Sequence, residues 1–103
     1  MITVMVNLKV KETRLTEFKQ LATELTEETR NVRDGCISYS FAQDPNSKTE
    51  FILFEQWRDQ ASLDTHIQHL FAKLGPAIEG KPLPKKLLDF YESAAPKFYN
   101  AIG

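Results

Sequence analysis

The amino-acid sequence predicts one α+β domain whose elements follow the order β-α-β-β-α-β. Residues 2–10 and 36–42 alternate apolar and polar side chains with the period of two that is typical of a half-buried strand. Residues 15–32 and 63–78 instead place their apolar side chains along one helical stripe. A chain of 103 residues, with 42% hydrophobic and 26% charged residues, has the size and composition of a single globular domain.

The first half of the chain is predicted to form a strand, a helix and a second strand. Thr13 is in position to cap the helix, and Gly35 can end it in the left-handed conformation. The alternation of the second strand predicts that Ile37 and Tyr39 share one face. Residues 44–47, Asp-Pro-Asn-Ser, then form a turn cluster of the kind that closes an antiparallel hairpin.

The second half is predicted to repeat the strand, helix and strand. Residues 51–54 are apolar on both faces, which favours a central strand. Asp59 is the predicted cap of the second helix, and Gly75-Pro76 must end or kink that helix because proline lacks an amide hydrogen. The last strand is predicted over residues 85–92.

Right-handed crossovers join these halves into a four-stranded antiparallel sheet with both helices on one face, the ferredoxin-like arrangement. This domain is expected to span residues 1–92. Its third and fourth strands are apolar on both faces, so the uncovered sheet face needs a partner, and a second copy of the chain is the expected one. Residues 93–103 form a tail that is expected to pack on the partner subunit through Phe98, Tyr99 and Ile102.

Composition and charge exclude several classes of function. A net charge of −1 provides no broad electrostatic field for nucleic acid or an acidic membrane. No segment approaches the roughly 20 apolar residues of a membrane span, and the single cysteine, Cys36, fits a reducing cytoplasm. We find no glycine-rich phosphate loop and no His/Cys/acidic cluster at ligand spacing, so we expect neither an organic cofactor nor a metal.

The candidate functional residues concentrate in the strand–turn–helix unit of residues 51–74. This unit contains the only Trp of the chain, Trp57, together with Glu55 and both histidines, His66 and His69. Such groups can stack on a flat aromatic ligand and move a proton near neutral pH. Each also has a purely structural interpretation, with Trp57 as a core residue and the histidines as boundary or solvated residues.

Two further polar side chains lie on the predicted strands. Asn7 interrupts an apolar run, and it either faces solvent or holds a ligand oxygen. Tyr39 is either a packing residue or a phenolic pocket wall. If the site is real, we expect Asn7, Trp57 and His66 to converge on one void between helix and sheet.

Four segments of the chain resemble the antibiotic biosynthesis monooxygenase family: MITVMVNLKV, DGCISYSFAQDP, FILFEQW and LDTHIQHLFAKL. The most specific part is Glu-Gln-Trp57 followed, after a short turn, by a Leu-x-x-His66 helix. The resemblance implies a dimeric α+β barrel of ferredoxin-like subunits. It also implies oxygenation of phenolic, quinol or polycyclic aromatic substrates by dioxygen, without metal or flavin. Trp57, His66, Tyr39 and His69 match site positions of the family. Asn7 matches an Asn of its haem-degrading branch, but that branch has a Trp at the position of His66, so haem degradation is not expected.

The preferred hypothesis is a cofactor-independent monooxygenase that acts on a small electron-rich aromatic such as a quinol or phenol. His66 is the expected base or hydrogen-bond partner of the substrate hydroxyl, and Asn7 is expected to hold the developing oxyanion. The complete set of expected catalytic residues is His66, Asn7 and Trp57, and the expected substrate-binding residues are Tyr39, Glu55, His69 and Phe71.

Two alternatives remain open at the level of sequence. A non-catalytic or stress-related dimer could hold a small aromatic or apolar metabolite in the same cavity, since pocket walls and cores use the same residue types. An isomerase of a small phosphorylated hydroxyketone would need cations at the pocket mouth, for which Arg58, Lys73 and Lys81 are the candidates.

Overall fold

A computed structural model describes residues 1–32 and 34–102 and confirms the predicted α+β class. Its elements are β1 (Ile2–Val10), α1 (Leu15–Val32), β2 (Cys36–Gln43), β3 (Glu50–Trp57), α2 (Gln60–Leu74), a short α3 (Lys85–Leu88) and β4 (Tyr91–Asn100). The four strands form one antiparallel sheet in the order β2-β3-β1-β4, which is the ferredoxin-like order. Gly103, at the end of the predicted tail, lies outside the described residues.

The hydrophobic core lies between one face of the sheet and the two long helices. Alternate residues of β1 point into it, because successive side chains of a strand face opposite sides of the sheet. Its members include Val4, Leu8 and Val10 of β1, Phe18, Leu21 and Leu25 of α1, Phe51 and Trp57 of β3, and Leu63 and Leu70 of α2. Because both long helices pack on this face, the opposite face of the sheet is helix-free within residues 1–32 and 34–102. None of the helices in residues 1–32 and 34–102 is long and apolar enough to cross a membrane.

The predicted cap of the second helix at Asp59 and its end at Gly75-Pro76 are confirmed. The Asp59 carboxylate accepts a hydrogen bond from the backbone N–H of Ser62 at 2.8 Å, and α2 ends at Leu74, before Gly75 with a φ of 93°. Ile78 therefore lies beyond the helix and is 46% exposed, so its place in the predicted stripe is wrong.

The start of the first helix differs from the prediction. Glu12–Arg14 form a 3-10 turn and α1 begins after it, at Leu15, so Thr13 lies inside that turn and does not cap α1. The carbonyl of Lys11 accepts from the N–H of Arg14. The turn thus satisfies backbone groups that a side-chain cap would otherwise satisfy.

A register shift near the start of β2 separates Ile37 from Tyr39. Cys36 pairs with Trp57, whereas Ser38 pairs with Gln56, so Ile37 is the extra residue of a bulge. Ile37 is 52% exposed and Tyr39 is buried, so the prediction that they share a face is wrong. A bulge moves one residue out of the alternation, and the local sequence pattern does not reveal it.

The predicted position of the last strand is also wrong. Residues 85–88 form α3, and β4 covers Tyr91–Asn100, so the strand runs through the predicted boundary at residue 92. Most of the segment that was expected to be a tail pairs with β1 within the same chain, with Leu8 opposite Ala94 and Val4 opposite Phe98. β4 is an edge strand whose side chains are mostly exposed, so burial does not impose an alternating pattern on them.

Candidate functional site

Four side chains from β2, β3 and α2 form a buried cluster of aromatic and titratable groups. Glu55 and Trp57 point inward from β3 because they are two residues apart, Tyr39 lies opposite Glu55 on β2, and His66 reaches them from α2. The exposed fractions are 0% for Trp57, 2% for Tyr39, 3% for His66 and 6% for Glu55. The structure therefore brings together four of the seven residues predicted from the sequence.

The carboxyl group of Glu55 is the polar centre of this cluster. The indole Nε1 of Trp57 donates a hydrogen bond to its Oε1 at 2.9 Å, and Nε2 of His66 lies 3.8 Å from the same oxygen. The His66 ring lies 4.7 Å from the Trp57 ring and 5.3 Å, edge-on, from the Tyr39 ring, measured between centroids. The imidazole is thus held between two aromatic rings beside a carboxyl group.

Burial changes the acid–base behaviour of these groups. It raises the pKa of Glu55 from 4.5 to about 7, and the hydrogen bond from Trp57 only partly offsets this. Burial, reinforced by the charge of Glu55, also raises the pKa of Tyr39 well above its ordinary value, against a hydrogen bond with Thr29. The phenol of Tyr39 therefore stays protonated at neutral pH, whereas Glu55 titrates there.

A depression of about 330 Å³ lies where the end of α1 approaches the start of α2. It is lined by Val32, Asp34, Arg58, Asp59, Ala61, Ser62, Thr65, His66 and His69. His69, three residues after His66 on α2, is half-buried. His66 belongs to this lining although only 3% of the residue is exposed, so a molecule in the depression lies beside an almost fully buried side chain.

The structure does not bring Asn7 or Phe71 to this cluster. Asn7 is exposed on the helix-free face of the sheet, opposite Ile52 of β3 and Ala95 of β4, because it alternates with the buried Leu8. Phe71 follows His66 by five residues, which rotates it by about 140° around the helix. In a single subunit, Asn7, Trp57 and His66 therefore do not converge on one void.

Two of the three cations considered for an isomerase, Arg58 and Lys73, form ion pairs with neighbouring carboxylates. Arg58 lies 3.5 Å from both Asp34 and Asp59. Lys73 pairs with the carboxylates of Glu28 at 2.7 Å and Glu24 at 3.5 Å. Two of the three candidate cations are thus neutralised by neighbouring carboxylates, which is unfavourable for binding a phosphate group.

Two residues that lie next to the cluster, Thr29 and Tyr91, were not identified from the sequence. Thr29 is 2% exposed and hydrogen-bonds Tyr39, and Tyr91 of β4 is close enough to Glu55 that the carboxylate, in addition to burial, raises its pKa. The spacing could have indicated that Thr29 is buried, because it continues the apolar stripe of the helix four residues after Leu25. Among residues 1–32 and 34–102, no three His, Cys, Asp or Glu side chains are grouped so that they could hold a metal ion.

Comparison with known proteins establishes the family of this chain. The sequence model of the antibiotic biosynthesis monooxygenases matches residues 1–70, so the protein belongs to that family, as the sequence motifs predicted. An uncharacterised protein of Synechocystis sp., sll1783, is 38% identical over 91 residues. That match covers 84% of this chain, which in turn spans 61% of the relative's length.

Solved structures share the fold at low sequence identity. A crystal structure of an antibiotic biosynthesis monooxygenase matches with a TM-score of 0.75 and 21% identity over 100% of both chains. The protein PA3566 from Pseudomonas aeruginosa matches with a TM-score of 0.77 and 18% identity, over 99% of this chain and 94% of that one. These similarities confirm the predicted ferredoxin-like fold.

Proposed function

We propose that this protein is a monooxygenase that oxidises a small electron-rich aromatic, a quinol or a phenol, with dioxygen and without metal or organic cofactor. Membership of the family supports a reaction of this general type. The observation that carries the proposal is the contact of His66 with Glu55 and two aromatic rings in a buried cluster. Burying titratable groups rarely benefits stability, and such groups concentrate at sites of chemistry.

The chemistry depends on making the substrate electron-rich. Dioxygen reacts slowly with a closed-shell phenol because the change of spin blocks a two-electron step. Removal of the hydroxyl proton gives an anion that can pass one electron to dioxygen, after which the two radicals combine. One oxygen atom forms the new carbon–oxygen bond, and the other leaves as water with two hydrogens from the quinol. All four electrons that reduce dioxygen come from the substrate.

His66 is the base in this reaction. The substrate lies in the depression lined by His66 and His69, and its hydroxyl proton passes to the imidazole of His66. Trp57 and Tyr39 hold the imidazole in place and keep water from its inner side. Asn7 and Phe71, which face away from His66, take no part within one subunit.

A second candidate is a protein that binds a small apolar molecule without reaction. It is favoured by the tight packing of His66 between Trp57 and Tyr39, which leaves only 3% of the residue exposed. Such a protein would use the same depression but would need no proton transfer.

We also propose that the protein works as a homodimer in the cytoplasm. The helix-free sheet face and the edge strand β4 carry exposed apolar side chains, among them Ile52, Phe98 and Tyr99, with Ile102 just beyond the strand. Exposed apolar side chains of this kind favour an interface, and a two-fold axis lets one surface serve both subunits. The single thiol, Cys36, is compatible with a reducing compartment.

The test is oxygen uptake with a panel of quinols and phenols in buffer treated with a chelator. We expect the wild-type protein to consume oxygen in proportion to the quinol lost, and His66→Gln to lower kcat/KM about a hundredfold or more. Gln68→Ala, on the exposed side of α2, is the matched control and should retain full activity. Full activity in His66→Gln would remove His66 from the mechanism. Saturable binding of a quinol without oxygen uptake would favour the second candidate.

A further inference from the structure

The carboxyl group of Glu55 contacts two other members of the buried cluster, Trp57 and His66. One of its oxygens accepts the indole N–H of Trp57 and also faces Nε2 of His66. We propose that Glu55 and His66 act as one proton-sharing unit, in which Glu55 orients the imidazole and takes up the proton that the imidazole receives from the substrate. This inference deepens the proposed function and rests on it for the identity of the proton donor.

The geometry restricts how the carboxyl group can move. The 2.9 Å hydrogen bond from Trp57 fixes Oε1 of Glu55, and the Trp57 and Tyr39 rings hold the imidazole on two sides. The gap of 3.8 Å between Nε2 and Oε1 must shorten by about 1 Å to reach hydrogen-bond length, a change that catalytic contacts commonly make when substrate binds. The pair is therefore placed for transfer along one defined direction.

The surroundings of Glu55 leave its charge without a strong counter-ion. Tyr39 and Cys36 of β2 and Tyr91 of β4 are the titratable groups whose pKa the Glu55 carboxylate raises, and none of them is cationic. The charge of Arg30 of α1 acts to lower the pKa of Cys36, and the Arg30 side chain donates a hydrogen bond to the backbone carbonyl of Tyr39. In the part of the chain that the structure describes, His66 is the basic side chain that lies beside the Glu55 carboxyl group, with Nε2 3.8 Å from Oε1. Because burial brings the pKa of Glu55 to about 7, its carboxyl group can accept and return a proton at neutral pH.

The proton balance closes within this unit. The O–H bond of the substrate breaks and its proton passes to the imidazole of His66, while the Nε2 proton passes to Oε1 of Glu55. One negative charge thereby moves from the carboxylate to the substrate, and the total buried charge does not change. Combination of the two radicals gives a peroxide on a ring carbon, and the stored proton returns through His66 to its outer oxygen. When the oxygen–oxygen bond then breaks, that ring carbon loses its hydrogen as the second hydrogen of the water.

The single Trp of the chain reports on this unit directly. Its indole donates to Glu55, so Trp57 fluorescence should follow the ionisation of that carboxyl group. We expect a transition with a midpoint near pH 7 in the wild-type protein. Glu55→Gln should abolish it, since the amide keeps the shape and an acceptor oxygen but does not titrate. His66→Gln should move the midpoint upward, because the partner that can carry the compensating positive charge is lost. Glu50→Gln, at the exposed start of the same strand, is the control and should not change it.

Activity measurements separate this inference from the proposed function. We expect Glu55→Gln to lower kcat about a hundredfold with little change in KM, and Glu55→Asp to restore part of the rate. Unchanged activity of Glu55→Gln in an active protein overturns the role of Glu55, and so does a Trp57 transition that persists in Glu55→Gln or ignores the loss of His66. If the wild-type protein shows the expected Trp57 transition but no turnover, the proposed function is wrong, and the shared titration of Glu55 and His66 is still supported.

Discussion

The raised pKa of Glu55 predicts how the stability of the protein depends on pH. A carboxyl group that titrates near 4.5 in the unfolded chain and near 7 in the folded protein binds more protons in the folded state between these values. Its contribution to stability is therefore fully present below about pH 4.5 and is lost as the pH rises through 7. At about 1.4 kcal/mol for each pH unit between the two values, the loss is about 3 kcal/mol.

Denaturation with urea between about pH 4 and pH 8, at one fixed protein concentration, measures this loss. The difference in free energy of unfolding between Glu55→Gln and the wild type should rise by about 3 kcal/mol in favour of the variant across this range. Glu50→Gln on the exposed end of β3 should follow the wild-type curve. Parallel curves for Glu55→Gln and the wild type would refute the reasoning, since they would mean that Glu55 titrates alike in the folded and unfolded states.

Three further predictions concern the scaffold that holds the site. Gly35→Ala should destabilise the fold by about 2 kcal/mol or more, because φ is 83° and the added Cβ would meet the side chain of Ser62; a smaller loss in thermal unfolding would contradict this. Asp59→Ala should cost about 1 kcal/mol in urea unfolding, as the cap of α2 is lost, and an unchanged midpoint would show that the cap is dispensable. A chain ending at Glu92 lacks most of β4 and should lose cooperative unfolding altogether. If the shortened chain still unfolds cooperatively and sediments as a stable dimer, the loss of folding and a role of the last strand in the interface are both contradicted.

The elements that local periodicity specifies could be predicted from the sequence. The alternation of Val4 and Leu8 in β1 and the stripe containing Phe18 and Leu25 in α1 reflect burial of one face, which repeats with the geometry of the element itself. Asp59 could be recognised as a cap because a side chain two or three residues from an unpaired backbone N–H is enough to satisfy it. The motif around Trp57 and His66 likewise identified the family without any structure.

The placement of the site depended on contacts between distant parts of the chain. Asn7 is polar in an apolar strand, but whether it faces the helices is decided by the register of the whole sheet, and it lies on the helix-free face. The last strand was misplaced because an exposed edge strand is held by backbone pairing with β1, which leaves no hydrophobic pattern to read. The acid–base character of Glu55 is set by the burial that surrounding elements provide and by the hydrogen bond from Trp57. Local patterns in the sequence are thus enough to predict the family, the fold class and most of the residues worth testing. Which of those residues meet depends on the tertiary structure, because burial and electrostatic interaction follow distance in space and not separation along the chain.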